Sequence, residues 1–200
     1  MQTNYENDPI MDDYLIERCK KGNKSAFDKL LDKYENRIYN FAYRISGNHE
    51  EASEITLEAF IRAFNSIKSF RRDAAFSSWM YRIVKNVFLD KRKINEKHNH
   101  ISLDESYETA SGFVQREVKD ENSLSPEDTL LNEEKKEIIM DLLSGLPDHH
   151  KIPLIMYYSE NMSYEDIAKA FGLPIGTIKS RINRARTTLT EKIKDRGEPF

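Results

Sequence analysis

The 200-residue chain is poor in cysteine, glycine and proline and has no long apolar run, and each of these absences excludes a class of protein. Its one cysteine, Cys19, excludes an internal disulfide and a metal site with several thiolates, and it fits a reducing compartment. Seven glycines and six prolines are few for an all-β protein, whose turns use more of both. The longest apolar run, residues 152–158, contains a proline and is far too short to span a bilayer. The first ten residues lack the basic start and apolar stretch of a signal peptide. These absences predict a soluble cytoplasmic protein.

The chain also lacks an overall excess of positive charge. Its 31 basic and 34 acidic side chains give a net charge of −3, which by itself argues against a nucleic-acid-binding protein. The charges are nevertheless separated along the sequence. Residues 68–97 carry nine basic and three acidic side chains, and residues 169–200 carry eight and three. Residues 98–137, by contrast, carry four basic and eleven acidic side chains. Two basic blocks with acidic sequence between them suggest two contacts with a polyanion.

Apolar residues recur every three or four positions along most of the chain, which predicts an all-α fold. The exception is residues 96–125, which are polar, acidic and rich in serine and are typical of a flexible linker. We therefore expect two small helical domains, residues 12–95 and 126–194. The remaining residues, 1–11 and 195–200, are expected to be tails.

Local signals set the expected helix ends. Ser25 and Asn48 are the expected N-caps of the second and third helices, and Ser163 is the expected N-cap of a short helix near the C-terminus. In the third helix, Ile61 and Phe64 fall on the apolar side and are expected in the core. The fourth helix is expected to begin near residue 76 and end near residue 93, and the last to cover residues 175–194.

The C-terminal domain contains the sequence form of a helix-turn-helix. Residues 163–189 read SYEDIAKAFGLPIGTIKSRINRARTTL, a helix, a tight turn with glycine and a second helix. Between Ala168 and Leu189 there are five bases and no acid, whereas a merely solvated face would mix both signs. A basic helix of this kind suits the major groove of duplex DNA. The candidate DNA-binding residues on its outer face and at its N-terminus are Thr177, Lys179, Ser180, Arg181, Asn183, Arg184 and Arg186.

The N-terminal domain contains a second basic segment, in which cations alternate with aromatic side chains. Single-stranded DNA is bound in this way, because cations follow the backbone and rings can hold an unstacked base. A ring on the apolar side, such as Trp79, is more often a core residue, and for Phe70, Tyr81 and Asn86 both interpretations stay open. The candidate strand-binding residues are Lys68, Phe70, Arg71, Arg72, Phe76, Tyr81, Arg82, Lys85, Asn86, Arg92 and Lys93.

Four segments together carry a resemblance to a known family. They are AFDKLLDKY, EITLEAFIRAFNSIKSF, FSSWMYRIVKNVFLDKRK and SYEDIAKAFGLPIGTIKSRINRAR. In this order and spacing they resemble the bacterial extracytoplasmic-function (ECF) sigma factors of the sigma-70 superfamily. The match runs from about residue 14 to residue 194 and fails in the linker and the tails.

The resemblance implies two helical domains, called region two and region four. Region two of the family binds the clamp helices of the RNA polymerase β′ subunit and opens the −10 element. Region four recognises the −35 element as duplex DNA and touches the β flap. The linker of such proteins passes toward the RNA exit channel. Many relatives are held inactive by an anti-sigma factor. The resemblance therefore implies a transcription initiation factor that is not an enzyme and uses no cofactor.

Matching positions carry the family's roles over to single residues. Glu54, Glu58 and Arg62 would face the polymerase clamp. Leu57, also in that segment, stands where many relatives have glutamine, so its own contact would differ. Asn86, with the connector before its helix, would hold an extruded −10 base. The exposed residues of the last helix would meet the −35 duplex.

Two other functions are weighed against this one. A transcriptional regulator would also use the helix-turn-helix, but it would need a ligand-sensing domain, and the N-terminal half has no such signature. A metal-dependent hydrolase could draw on His98, His100, His149 and His150, yet no HExxH motif or cysteine cluster accompanies them. No phosphate-binding GxxxxGK[ST] loop is present either.

Overall fold

The computed structural model describes residues 9–101 and 126–196, and the side chains of residues 11–97 and 135–196. These two segments contain eight α-helices and no strand. One short 3-10 turn, Ile67–Ser69, precedes the connector to α4. The helices are α1 Pro9–Lys20, α2 Lys24–Ser46, α3 His49–Ser66, α4 Phe76–Ile101, α5 Pro126–Ser144, α6 Asp148–Tyr158, α7 Tyr164–Phe171 and α8 Ile175–Arg196. The predicted all-α fold is confirmed.

The helix ends follow the capping signals in most places. The Asn48 side chain accepts a hydrogen bond from the Glu51 N–H over 2.9 Å and so caps α3, as predicted. Ser163 caps α7 in the same way. The N-cap of α2 is Asn23 rather than Ser25, because the Asn23 side-chain oxygen Oδ1 accepts a hydrogen bond from the Ala26 N–H over 3.1 Å.

Three helices are longer than the sequence predicts, and α8 exceeds its expected end by two residues, at Arg196. Helix α1 begins at Pro9, inside the expected tail. Helix α4 continues to Ile101, six residues into the segment assigned to the linker. The rest of that segment, residues 102–125, lies outside the described residues, so its predicted flexibility stays a prediction.

The N-terminal bundle is built around α2, which packs against α1, α3 and α4. Ile38, Phe41 and Ile45 of α2 have no exposed surface and meet Ile55 of α3 and Phe88 of α4 in one core. Such burial is the main stabilising contribution, at about 25 cal/mol per Å² of apolar surface. A polar contact fastens α1 to α2, since Lys33 Nζ lies 2.6 Å from the Asp12 carboxylate.

The C-terminal bundle consists of α5 to α8, with α6 packed against α8 as its largest contact. Ile152 and Met156 of α6 meet Ile178 and Ile182 of α8 in its core. Gly172 ends α7 in the left-handed conformation, with φ +64°, and its N–H donates to the carbonyls of Ala168 and Lys169. The helix-turn-helix predicted from the sequence is therefore formed by α7 and α8.

The two bundles contact each other directly. Helix α6 packs against α2, and α7 packs against α4. The buried apolar residues of both bundles form one continuous core cluster. The sequence predicts two domains but gives no sign of this contact.

The structure corrects the predicted apolar face of α3. Ile61 is 47% exposed and Phe64 is 42% exposed, so neither belongs to the core as expected. Leu57 on the same helix is 65% exposed. In α8, Ile175 has the spacing of the core stripe but is 38% exposed. On a helical wheel of about 100° per residue, Ile61 and Phe64 lie at least about 120° from the buried Ile55 and Ala59, so their direction also turns them away from the core.

Candidate nucleic-acid interfaces

The outer face of α8 borders an open cleft of about 500 Å³. Ser180 and Arg184 are exposed there, and Thr177 and Arg181 are half-buried. All four side chains were predicted to bind duplex DNA, and the fold brings them together because they recur every three or four residues on one helix. Lys179, Asn183 and Arg186 are exposed on the same helix outside the cleft lining.

At the N-terminus of α8, two backbone N–H groups that could bind a phosphate already have partners. The N–H groups of Thr177 and Ile178 both donate to the Pro174 carbonyl, over 2.9 and 3.3 Å. These two donors are therefore engaged, and the Thr177 hydroxyl is the group of that residue that lines the cleft.

Two histidines that the sequence does not connect with DNA binding also line the cleft. His149 and His150, at the start of α6, have ring centroids 4.3 Å apart and line the cleft with Arg181 and Arg184. Burial lowers the pKa of His150, and the positive charge of these neighbours lowers it further. In the sequence, both histidines are also candidate metal ligands. Its position beside the basic face of α8, 30 residues further along the chain, has no local signal in the sequence.

The connector before α4 and the outer side of α4 present a second basic surface. Lys68, Arg71, Arg72, Arg82, Asn86 and Lys93 are exposed, and Arg92 is half-buried. Arg72 has a left-handed backbone, with φ +58°, which is rare for a residue other than glycine. Its guanidinium holds Glu17 over 2.8 Å and Asp13 over 3.4 Å. The connector is thereby fastened to α1.

Phe70 and Phe76 do not lie where the strand-binding prediction needs them. Each is 4% exposed, and both pack with Trp79 in an aromatic cluster with ring centroids 5.1–5.9 Å apart. Neither ring offers a free face to an unstacked base in this structure. The sequence pattern placed Trp79 in the core correctly, but the same argument applies to these two phenylalanines.

Tyr81 and Lys85 are buried as well, for a different reason. The helical wheel places both on the polar side of α4, and the C-terminal bundle covers the part of that side where they lie. Tyr81 is 1% exposed, and its hydroxyl donates to the Glu160 carboxylate. Lys85 is 6% exposed, and its Nζ lies 2.7 Å from the Ala170 carbonyl oxygen. Burial and the nearby Glu160 raise the pKa of Tyr81, and burial lowers the pKa of Lys85.

A third exposed surface lies on α3. Leu57, Ile61 and Phe64 recur at a spacing of four and three residues, so they form one apolar stripe. Charged side chains border the stripe. Glu54 pairs with Lys91, Glu58 pairs with Arg62, and Arg62 also pairs with Asp90. An apolar stripe rimmed by charge is a common form of protein-binding surface.

Across residues 11–97 and 135–196, no three histidine, cysteine, aspartate or glutamate side chains are placed to hold a metal ion. His98 and His100 lie outside that range. Among the helices described, none is long and apolar enough to cross a membrane.

Family models match both bundles. Residues 30–97 match the model for Sigma-70 region 2, and residues 136–189 match the model for Sigma-70, region 4.

Two solved structures share the fold. CnrH, solved in complex with the cytosolic domain of CnrY, has a TM-score of 0.66 at 18% identity and covers 92% of this chain and 98% of its own. The sigma factor RpoE of Bartonella quintana, in complex with the anti-sigma factor NepR, has a TM-score of 0.63 at 24% identity, with 84% and 96% covered.

Curated relatives are similar over nearly the whole chain. The ECF RNA polymerase sigma-E factor of Haemophilus influenzae is 32% identical over 188 residues, or 92% of this chain and 96% of the relative. The ECF RNA polymerase sigma factor SigW of Bacillus subtilis is 33% identical over 180 residues, or 90% of this chain and 95% of the relative. Identity at this level over both domains shows that the chain belongs to the ECF sigma factors and directs RNA polymerase to promoters.

Proposed function

We propose that three exposed surfaces have separate binding roles in promoter-directed initiation. The apolar stripe of α3 binds the clamp helices of core RNA polymerase. The face of α8 binds the −35 element as duplex DNA, and the basic surface of α4 with its connector captures the −10 strand. The protein makes and breaks no covalent bond in this proposal, since the polymerase performs that chemistry.

The face of α8 is the observation that carries the proposal. It combines cations, which attract the DNA backbone, with hydroxyl and amide groups that can bind base edges. Arg181 and Arg184 line one cleft with Thr177, so base-edge and phosphate contacts lie within one helix width. His149 and His150 extend this surface to α6 and would face the DNA backbone.

The surface on α4 suits a separated strand. Asn86 is exposed one helical turn beyond Arg82, and an amide can donate to and accept from the edge of an unpaired base. Flipping a base costs a few kcal/mol, which edge-directed hydrogen bonds and backbone contacts can offset. Lys68 and Arg71 in the connector supply the backbone contacts, while Arg72 fastens the connector to α1. Phe70 and Phe76 support the connector from the core instead of stacking on bases.

The surface on α3 suits a helical partner. Three apolar side chains in a row can enter the groove of a facing helix, and Glu54 and Glu58 beside them favour a basic rim on the partner. Leu57, which stands where many family members have a glutamine, contributes an apolar contact here.

Further partners follow from the family. Contact of the C-terminal domain with the β flap, and passage of the acidic linker toward the RNA exit channel, extend the proposal to the rest of the polymerase. An anti-sigma factor is a further proposed partner, since RpoE of Bartonella quintana was solved with one. Such a partner would have to cover the DNA-binding surfaces described above.

Run-off transcription tests the proposed function. Purified core polymerase is combined with this protein on fragments of genomic DNA, and the transcript starts are mapped. New starts with shared −35 and −10 elements, absent with core polymerase alone, are expected. Because cationic contacts release counterions, promoter binding should fall steeply between about 50 and 200 mM salt. An absence of new starts, or binding that ignores salt, would contradict the proposal.

A further inference from the structure

Glu160 lies in the loop between α6 and α7 and joins the two bundles. Its side chain is 2% exposed and is surrounded by groups from the N-terminal bundle. Arg44 Nη1 lies 2.9 Å from one carboxylate oxygen, and Arg37 Nε lies 3.5 Å from the other. The Tyr81 hydroxyl donates to the second oxygen. One acidic side chain of the C-terminal bundle thus meets two cations and one hydroxyl of the other bundle.

A second polar contact lies one helical turn away on α4. Lys85 Nζ donates to the Ala170 carbonyl at the end of α7 and lies 4.7 Å from the centroid of the Phe171 ring. Lys151 of α6 adds a third, with its Nζ 5.6 Å from the Phe88 ring centroid. The contact between the bundles is therefore rich in charge as well as in apolar surface.

Contacts of this kind can be reversed. When a buried ion pair separates, both charges recover their hydration, which offsets much of the lost attraction. Arg37 and Arg44 are already 37% and 40% exposed, so they need little rearrangement to reach water. Interfaces between domains that carry polar groups resemble transient protein interfaces. Removing one partner alone is more disruptive, because it leaves the others buried without compensation.

The closed arrangement covers part of the −10 surface and leaves the −35 surface open. Tyr81 and Lys85 lie beside the exposed Arg82 on α4, where Glu160 of the α6–α7 loop covers Tyr81 and the end of α7 covers Lys85. A strand following α4 would meet the C-terminal bundle at this point. The cleft beside α8 is lined by residues of α6 and α8 other than those named in this contact, so it stays open to duplex DNA.

We propose that Glu160 is the closing residue of an intramolecular lock. In the free protein it holds the C-terminal bundle over Tyr81 and Lys85, and the lock opens when the chain engages polymerase. The free chain then binds −35 duplex but captures −10 strand poorly. This inference rests on the proposed −10 function of α4.

Distance measurements on the whole free chain test the lock first. Spin labels are placed at Lys24→Cys and Thr190→Cys, both exposed positions, in a Cys19→Ala background. A narrow distance distribution is expected for the unaltered lock. Glu160→Gln keeps the shape of the side chain and removes its charge, and it should broaden the distribution toward longer distances. Glu165→Gln, an exposed acid on α7, is the matched control and should leave the distribution narrow. An unchanged distribution in Glu160→Gln would overturn the lock.

Strand binding tests the consequence. The probe is a fluorescent single strand carrying the −10 element mapped by run-off transcription, with a −35 duplex as reference. Because the neutral amide loses the charge-assisted contacts to Arg37 and Arg44, Glu160→Gln should bind the strand about tenfold more tightly than the unchanged protein. Binding of the duplex should stay the same. Arg44→Gln, at a partly exposed position, should also strengthen strand binding. If both variants gain, the effect does not come from misfolding of the Glu160 variant.

The two proposals fail in different ways. If the lock is wrong, Glu160→Gln and the unchanged protein bind the strand equally while the holoenzyme still opens the promoter. If the proposed function of α4 is wrong, opening the lock leaves strand binding absent, and Asn86→Ala leaves promoter opening by the holoenzyme intact.

Discussion

Arg62 of α3 and Asp90 of α4 form an ion pair, with 2.8 Å between Arg62 Nη1 and the Asp90 carboxylate. Glu58 holds the Nε of the same guanidinium over 2.8 Å, and both carboxylates raise the pKa of Arg62. The pair links two helices at their surface, where it contributes at most about 1 kcal/mol. Its larger consequence is orientation, because it draws the guanidinium toward α4 and away from the apolar stripe of Leu57, Ile61 and Phe64.

The first prediction concerns this stripe. Ile61→Asp should weaken binding to core polymerase by at least about tenfold, since an apolar anchor is replaced by a charge that must be desolvated in the complex. Titration of core polymerase with labelled protein, without DNA, measures the effect. Stability of the free protein should change little, because Ile61 is 47% exposed.

Ile94→Asp is the matched control for this experiment. Ile94 is also an exposed isoleucine, at 54%, but it lies near the end of α4 and outside the stripe. It should bind core polymerase like the unchanged protein. Equal weakening by both substitutions would remove the stripe from the polymerase interface.

The second prediction concerns Arg181. Replacing it with alanine should cost about 1–3 kcal/mol on the cognate −35 duplex if its guanidinium binds a base edge. The loss should be smaller on duplexes with an altered −35 element. Fluorescence anisotropy on both duplexes checks this, and Lys194→Ala in the last turn of α8 serves as control. A uniform loss on every sequence would make Arg181 a phosphate contact.

The third prediction separates promoter opening from initial binding. Asn86→Ala in the holoenzyme should slow open-complex formation by about tenfold or more, because the extruded base loses its edge-directed hydrogen bonds. Initial binding to duplex promoter should be nearly unchanged. Permanganate footprinting of unpaired thymines measures the opening, and Asn95→Ala, exposed two turns later on α4, is the control. A defect confined to initial binding would contradict the proposed −10 contact.

The fourth prediction concerns pH. Burial, His149, Arg184 and Arg181 hold the pKa of His150 below its ordinary value of 6.5, so the ring is neutral at pH 7. A DNA phosphate in the cleft would favour the protonated ring, so the complex takes up a proton. Binding to −35 duplex should therefore strengthen as pH falls from 7.5 through 6.5 toward the lowered pKa.

Without DNA, the stability of the C-terminal bundle should show the opposite trend and fall as the pH falls. A base whose pKa is lowered by folding stabilises the fold above its unfolded pKa and loses that stabilisation as pH falls. His150→Gln should remove most of both pH dependences, while Lys194→Ala should keep them. If His150→Gln left the pH dependence of DNA binding unchanged, His150 would not face the DNA.

The sequence by itself determined the helices, the caps at Asn48 and Ser163, and the basic face of α8. These features depend on residues within a few positions of each other, so periodicity and capping chemistry are sufficient to predict them. The family resemblance likewise lies in local segments whose order along the chain can be recognised without a fold.

Only the tertiary structure decided which faces are covered. The same periodicity that places Tyr81 and Lys85 on the polar side of α4 cannot show that the C-terminal bundle, some 80 residues later, buries them. The expected core position is wrong for Ile61, which is exposed, and for Phe64, which stays 42% exposed although its ring packs on Phe27 of α2. Glu160 and the histidines beside α8 likewise gain their roles from groups distant in sequence. Exposure and pairing between distant segments depend on the docking of the two bundles, which short-range patterns do not encode.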